Sequence, residues 1–187
     1  MALWVFVRGS HLGDVSHIVT SELPTGIAVA KAITGVQLGN KGGVGAAFRW
    51  RDTSFAFVNC HLPARPDIIR LRKREADYKT IVRKLKLEAS MSGVGMDWIH
   101  QHDHAFLLGD MNYRVDLPFD RCVTLYNQRN FGAMVAHDQL LREQARGRVF
   151  VGFHEHRVDF PPTYRWARKT EEFSWKRGQA PSFTDRI

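Results

Sequence analysis

Cysteine is scarce in this 187-residue chain: there are two, Cys60 and Cys122. They lie far apart and form no CxxC pair, so the sequence offers neither a disulfide framework nor a cysteine zinc site. A reducing, intracellular compartment is the simpler reading. Long apolar runs are also missing. No stretch approaches the roughly 20 apolar residues that a membrane helix needs. The opening segment, Met1 to Ser10, lacks the basic lead and extended apolar core of a secretory signal. Any membrane contact is therefore expected to be peripheral. Repeats and low-complexity linkers are lacking too. Negative charge is in short supply: 27 Lys and Arg face 19 Asp and Glu, a formal charge of +8. That balance favours anionic partners (nucleic acid, phosphorylated small molecules or an anionic membrane surface) without choosing among them.

Aromatic residues, by contrast, are plentiful. Five Trp and twelve Phe supply burial, and 44% of the chain is apolar, as in an ordinary globular core. The length suits one compact domain. Leu3 to Val7 is continuously apolar and reads as an interior strand, which hints that the chain is cut from something longer. Segments 43–50 and 54–61 read as a hairpin around the polar turn 51–53. Alternation puts Phe55, Phe57, Asn59 and His61 on one face, and Ala56, Val58 and Cys60 on the other. Residues 67–89 carry Leu71, Tyr78, Val82, Leu85 and Ala89 at helical spacing, with a basic opposite face. A strand at 104–109 stops at Gly109-Asp110. Helices are expected near 118–129, with Pro118 in the first turn, and near 137–146. Strands mixed with helices, some in hairpins, suggest an α/β sandwich.

Four segments carry groups suited to phosphate chemistry. Gly109-Asp110-Met111-Asn112 presents a carboxylate and a carboxamide where a strand ends. In extended backbone both would point the same way. The carboxylate could orient or deprotonate a water, and the amide could donate to a phosphoryl oxygen. The same residues would equally make a turn in which Asp and Asn cap the loop backbone. His61 closes a strand and reads as a structural hydrogen-bonder or as a donor to phosphate. Gly39 to Gly45 is a glycine-rich loop around Asn40 and Lys41. Its N–H groups could face an anion, or it could be a plain turn; it lacks Walker spacing. Phe160 to Trp166 joins a stiff Pro-Pro turn to Tyr164 and Arg165, which could hold a phosphate or simply pack. Lys176 and Arg177 follow as surface charges, unless the fold brings them to the same place.

Taken in order, these segments resemble the inositol polyphosphate 5-phosphatase family. Gly39-Asn40-Lys41-Gly42, Asn59-Cys60-His61-Leu62, Gly109 to Arg114, Phe160 to Tyr164 and Pro181 to Ile187 match its GNKG, NCHL, GDLNYR, FPPTY and PSWCDRI motifs. The resemblance covers nearly all of 1–187. It implies part of one catalytic domain: a four-layer α/β sandwich of the endonuclease/exonuclease/phosphatase type, incomplete at both ends. It also implies Mg2+-dependent removal of the 5-phosphate from phosphoinositides or soluble inositol polyphosphates, in the cytoplasm and in peripheral contact with anionic membrane. No nucleic acid partner is expected. By the same resemblance, Asp110 helps activate the attacking water, Asn112 and His61 contact the scissile phosphate, and Asp185 orients a general-base histidine of a later motif. Asn40, Lys41, Tyr164 and Arg165 bind substrate phosphates, with Lys176 or Arg177 assisting.

The departures are specific. The strands that bring an Asn and the metal-binding Glu have no match, and neither does the motif bearing the base His. No metal ligand is identified in the chain. Phe183 and Thr184 replace Trp and Cys, Arg165 replaces Lys, and Gln179 stands where some members place a phosphate-binding Arg. These 187 residues alone are therefore expected to be nearly inert. Two other readings stand beside this one: a related nuclease of the same superfold, and a non-catalytic phosphoinositide-binding module.

Overall fold

A computed structural model describes residues 1–26, 41–87, 96–167, 169, 173–175 and 178–187. Its contacts divide the chain into two compact units. One comprises Met1–Leu62 and Ala76–Gly109, the other Pro63–Glu75 and Asp110–Ile187. The elements are of the mixed α/β class that the sequence suggests.

The first unit is built on strands β1 (Val15–Pro24), β2 (Gly42–Trp50), β3 (Thr53–His61) and β4 (His104–Asp110), adjacent in that order. A 3-10 turn, Gly9–Asp14, leads into β1. β2 and β3 form the expected antiparallel hairpin, in register from Gly42 opposite His61 to Trp50 opposite Thr53. Arg51 takes a positive φ of 53° to close it tightly. Side-chain parity follows the sequence reading: Ala56, Val58 and Cys60 are buried, and the Phe55 to His61 face is half-buried. Ile81, Leu85 and Leu87 cover the buried face, where glycines make room. A Cβ on Gly45 would lie 2.8 Å from Leu87 Cδ1. On the other face the rings of Phe48, Phe55, Phe57 and Phe106 stack, Phe57 and Phe106 at 4.8 Å.

Leu3–Val7 is not the interior strand that its composition suggests. No strand forms there, and Trp4 and Phe6 are 77% and 88% exposed. Apolar residues without alternation do not specify a hydrogen-bonding partner. This segment is anchored instead by the Ala2 carbonyl, which accepts from Asn59 Nδ2 at 2.8 Å. The sequence reading also missed β1, whose exposed and half-buried residues, Ser16, His17 and Ser21 among them, give little apolar alternation.

Helix α1 (Ile68–Lys84) begins in the second unit and ends in the first. The expected helix ran to 89; residues 88 and 89, like the expected small-residue loop 90–95, lie outside the described residues. The second unit also holds α2 (Phe119–Asn127), α3 (Phe131–Val135), α4 (Gln139–Ala145) and a two-residue strand β5 (Asp185–Arg186). Pro118 is the N-cap of α2 rather than part of its first turn. Asn130 and Asp138 cap α3 and α4, accepting from Ala133 N and Leu141 N. Val115, Cys122, Leu125, Met134, Val158 and Phe183 form the apolar core.

Buried charge also organises this unit. Arg74 donates to the Pro63 and Arg65 carbonyls and to Gln139 Oε1, and burial pulls its guanidinium down to about 10. Glu143 is fully buried. It accepts from Arg142, Arg146 and Arg148 at 3.0, 3.0 and 2.6 Å, with Arg72 at 3.7 Å. Burial alone would raise its carboxyl, but hydrogen bonds from Arg142 and Arg148 outweigh it and hold the group at about 2, against an ordinary 4.5. A depressed folded-state value means that this stabilisation is complete above 4.5 and is lost as pH falls toward 2. Glu143→Gln should lower the urea midpoint at neutral pH and flatten its decline toward about pH 3. A variant curve parallel to wild type would show that Glu143 is not the titrating group.

Candidate active site

In the first unit, Lys41 stands just before β2 and His61 ends β3. The hairpin register sets Gly42 opposite His61. Gly42 has φ 148°, and a Cβ there would lie 2.1 Å from the Leu23 carbonyl oxygen, so only glycine fits. Lys41 Nζ meets His61 Nε2. Lysine has donors and no acceptor, so Nε2 is the accepting nitrogen of that ring. Two of the sequence-predicted residues are thus brought together, both half-buried. Asn40 lies outside the described residues. At the end of β4, Gly109 has φ 126°, and a Cβ would lie 2.2 Å from the Cys60 carbonyl oxygen and 2.4 Å from Asn59 Oδ1.

In the second unit, the backbone does not stay extended from Asp110 to Asn112, as the two-residue spacing suggests. Asn112 takes a left-handed φ of 55°, and its N–H donates to Asp110 Oδ1 at 3.1 Å. The carboxylate caps its own loop, a local bond that competes with the strand ladder. The turn reading of this segment is therefore realised. Met111 N donates to the Thr184 carbonyl at 2.7 Å, which ties the loop to the segment carrying Asp185. Thr163 Oγ1 accepts from both Thr184 N and Asp185 N at 3.0 Å. Thr184 Oγ1 donates to Asp185 Oδ2 at 3.2 Å, and Asp185 is exposed.

Tyr164 exchanges backbone hydrogen bonds with Ser182 at 3.0 Å, and its hydroxyl donates to Gln179 Oε1 at 2.6 Å. Arg114 lies over the Tyr164 ring, 4.0 Å from its centroid. Arg165 is half-buried, and its carbonyl accepts from Ser174 N at 2.8 Å. Lys176 and Arg177 lie outside the described residues. Sequence reasoning gave no role to Thr163, Thr184, Gln179 or Arg114, although each sits within or beside a motif. Thr163, Thr184 and Gln179 act through hydrogen bonds to residues distant in the chain, and Arg114 through bonds to Asn112, which no spacing rule reveals. Among the described residues, no three His, Cys, Asp or Glu side chains lie together as a metal would need.

Three comparisons bear on this arrangement. The model of Endonuclease/Exonuclease/phosphatase family 2 matches residues 1–187, and the chain belongs to that family. Within it, the chain groups with the inositol polyphosphate 5-phosphatase catalytic domains. It is 34% identical over 191 residues to zebrafish (Danio rerio) phosphatidylinositol 3,4,5-trisphosphate 5-phosphatase 2A, covering 98% of this chain and 14% of that protein. It is 35% identical to human (Homo sapiens) phosphatidylinositol 3,4,5-trisphosphate 5-phosphatase 1, covering 98% and 16%. The chain thus spans about a seventh of the length of these relatives.

A solved inositol polyphosphate 5-phosphatase domain of SPsynaptojanin, in complex with inositol (1,4)-bisphosphate and calcium ion, is also similar. It is 28% identical with a TM-score of 0.76, over 95% of this chain and 47% of that one. A Cimex nitrophorin ferrous NO complex shares the fold alone, at 22% identity and a TM-score of 0.64, over 95% and 55% of the two chains. The fold alone therefore does not imply a phosphatase.

Proposed function

We propose that the protein carrying this chain hydrolyses the 5-phosphate of phosphoinositides or soluble inositol polyphosphates. The observation that carries the reading is the stitching of three separate motifs within the second unit. Met111 N on Thr184 O, and Thr163 Oγ1 on Thr184 N and Asp185 N, bind the loop of Asp110 and Asn112 to the FPPTY and PSFTDRI segments. The similar proteins support the substrate class: 5-phosphatases of phosphatidylinositol 3,4,5-trisphosphate, and a domain complexed with an inositol bisphosphate.

In this reading Asp110 helps orient and activate an attacking water, whose proton passes to a base histidine. The oxygen–phosphorus bond forms as the bond from phosphorus to the inositol 5-oxygen breaks, and the departing 5-oxygen takes up a proton from water. Asn112 donates its amide N–H to a phosphoryl oxygen whose charge grows in the transition state. Lys41 and His61, already in contact, meet a substrate phosphate. Arg165 holds another, with Asn40, Lys176 and Arg177 assisting, and Tyr164 joins it when its hydroxyl turns from Gln179. Asp185 orients a base histidine of a following motif. Mg2+ would neutralise phosphate charge. The described residues do not make a ligand set for it. The formal charge of +8 suits a cytoplasmic protein held peripherally at an anionic membrane.

The test is phosphate release by the full-length protein from dioctanoyl phosphatidylinositol 3,4,5-trisphosphate with Mg2+, with the product's phosphate positions determined. Loss of the 5-phosphate is expected. The 187-residue chain alone should release almost none. Binding without turnover by the full-length protein, or nicking of abasic DNA in its place, would overturn the reading.

A further inference from the structure

We propose that Arg114 is a positioning residue that fixes which end of the Asn112 carboxamide is presented to substrate. Arg114 is 4% exposed and Asn112 is 3% exposed. Arg114 Nη2 donates to Asn112 Oδ1 at 2.8 Å, and Nε donates to the Asn112 carbonyl at 3.2 Å. The guanidinium therefore grips one residue at both its main-chain and side-chain oxygens. An amide has one accepting and one donating end, and a guanidinium only donates. Turning the Asn112 amide over would set N–H groups against N–H groups in a buried place, a costly arrangement. The grip therefore directs Nδ2 away from Arg114.

Arg114 is itself held. It stacks over the Tyr164 ring at 4.0 Å, and Nη1 reaches Gln179 Oε1 at 3.4 Å. The Tyr164 hydroxyl donates to that same Gln179 oxygen. Tyr164 in this arrangement is the platform under Arg114, with its hydroxyl turned to Gln179. The left-handed backbone of Asn112, φ 55°, adds a reason for the second grip: its carbonyl is held by the same guanidinium as its side chain.

The inference rests on the reading that Asn112 meets a phosphoryl oxygen. The test is a double-mutant cycle in the full-length protein, with dioctanoyl phosphatidylinositol 3,4,5-trisphosphate as probe. The kcat, KM and thermal midpoint are measured for wild type, Asn112→Ala, Arg114→Ala, Arg114→Lys and the Asn112→Ala, Arg114→Ala pair. Arg114→Ala should lower kcat by about 10–100-fold, the scale of a misplaced catalytic group. Lysine cannot grip two oxygens as a planar fork does, so Arg114→Lys, which keeps the charge, should also lose kcat.

The deciding outcome is non-additivity. The pair should show the kcat of Asn112→Ala alone, because Arg114 acts through Asn112. Losses in kcat that multiply in the pair, or wild-type kcat in Arg114→Lys, would overturn the inference while phosphatase activity stands. A wild-type protein that releases no phosphate would instead overturn the function, and this inference with it.

Discussion

Asp110→Asn in the full-length protein should lower kcat for 5-phosphate release by about 10²–10⁴-fold, the usual range for loss of a positioned acid–base group. The fold should be nearly untouched. Asp110 Oδ1 accepts the Asn112 N–H at 3.1 Å, and an asparagine oxygen in the same place accepts it as well. The loop turn, the Met111 bond to Thr184 and the strand end at residue 110 therefore persist in the variant. What disappears is the carboxylate charge that orients and activates the attacking water. Because that charge acts in the transition state, kcat falls and KM changes little. Stopped-time phosphate assays beside thermal unfolding would separate the two quantities. Near-normal kcat in a folded variant would remove Asp110 from the mechanism.

Gly109→Ala should instead act on the fold. The position combines a φ of 126° with a Cβ that would lie 2.2 Å from the Cys60 carbonyl oxygen. That oxygen belongs to the backbone of β3 and cannot move aside as the tip of a flexible side chain could. Backbone strain of 1–3 kcal/mol is about the usual cost of such a conformation. The clash adds to it, so a loss of roughly 3 kcal/mol or more is expected. A markedly lower unfolding midpoint is the readout. An unchanged midpoint would mean that the end of β4 does not approach Cys60 as described.

Much of the fold was legible in the sequence because its periodicities are strong. The β2–β3 hairpin, β4 and the body of α1 follow from alternation, an apolar run and helical spacing. The elements that were not legible are those whose sequences carry weak periodicity. β1 lacks a clear apolar face, and Leu3–Val7 is apolar without forming a strand. Helix α3, five residues long, is too short to show a repeat. The candidate site was legible as motifs rather than as geometry. Asp110, Asn112 and Asp185 stand out by residue type, but their supports do not. Thr163, Thr184 and Gln179 act through hydrogen bonds across fifteen or more positions of chain. No local pattern encodes those partners, and the left-handed turn at Asn112 defeats the simple two-residue rule for strands.

The β2–β3 register has a consequence for the length of the turn that closes it. Trp50 faces Thr53 at one end, and Gly42 faces His61 at the other. The hairpin works as a ruler: its zero mark is the turn at Arg51-Asp52, and its reading is the meeting of Lys41 with His61. Most surface turns tolerate an extra residue. Here, one residue added within β3 would reverse the parity of every position beyond it. The imidazole of His61 would then turn to the face that Ala56, Val58 and Cys60 fill, and Lys41 would lose its partner. The spacing between Lys41 and His61 is thus held by counting along a hairpin, at a place remote from both.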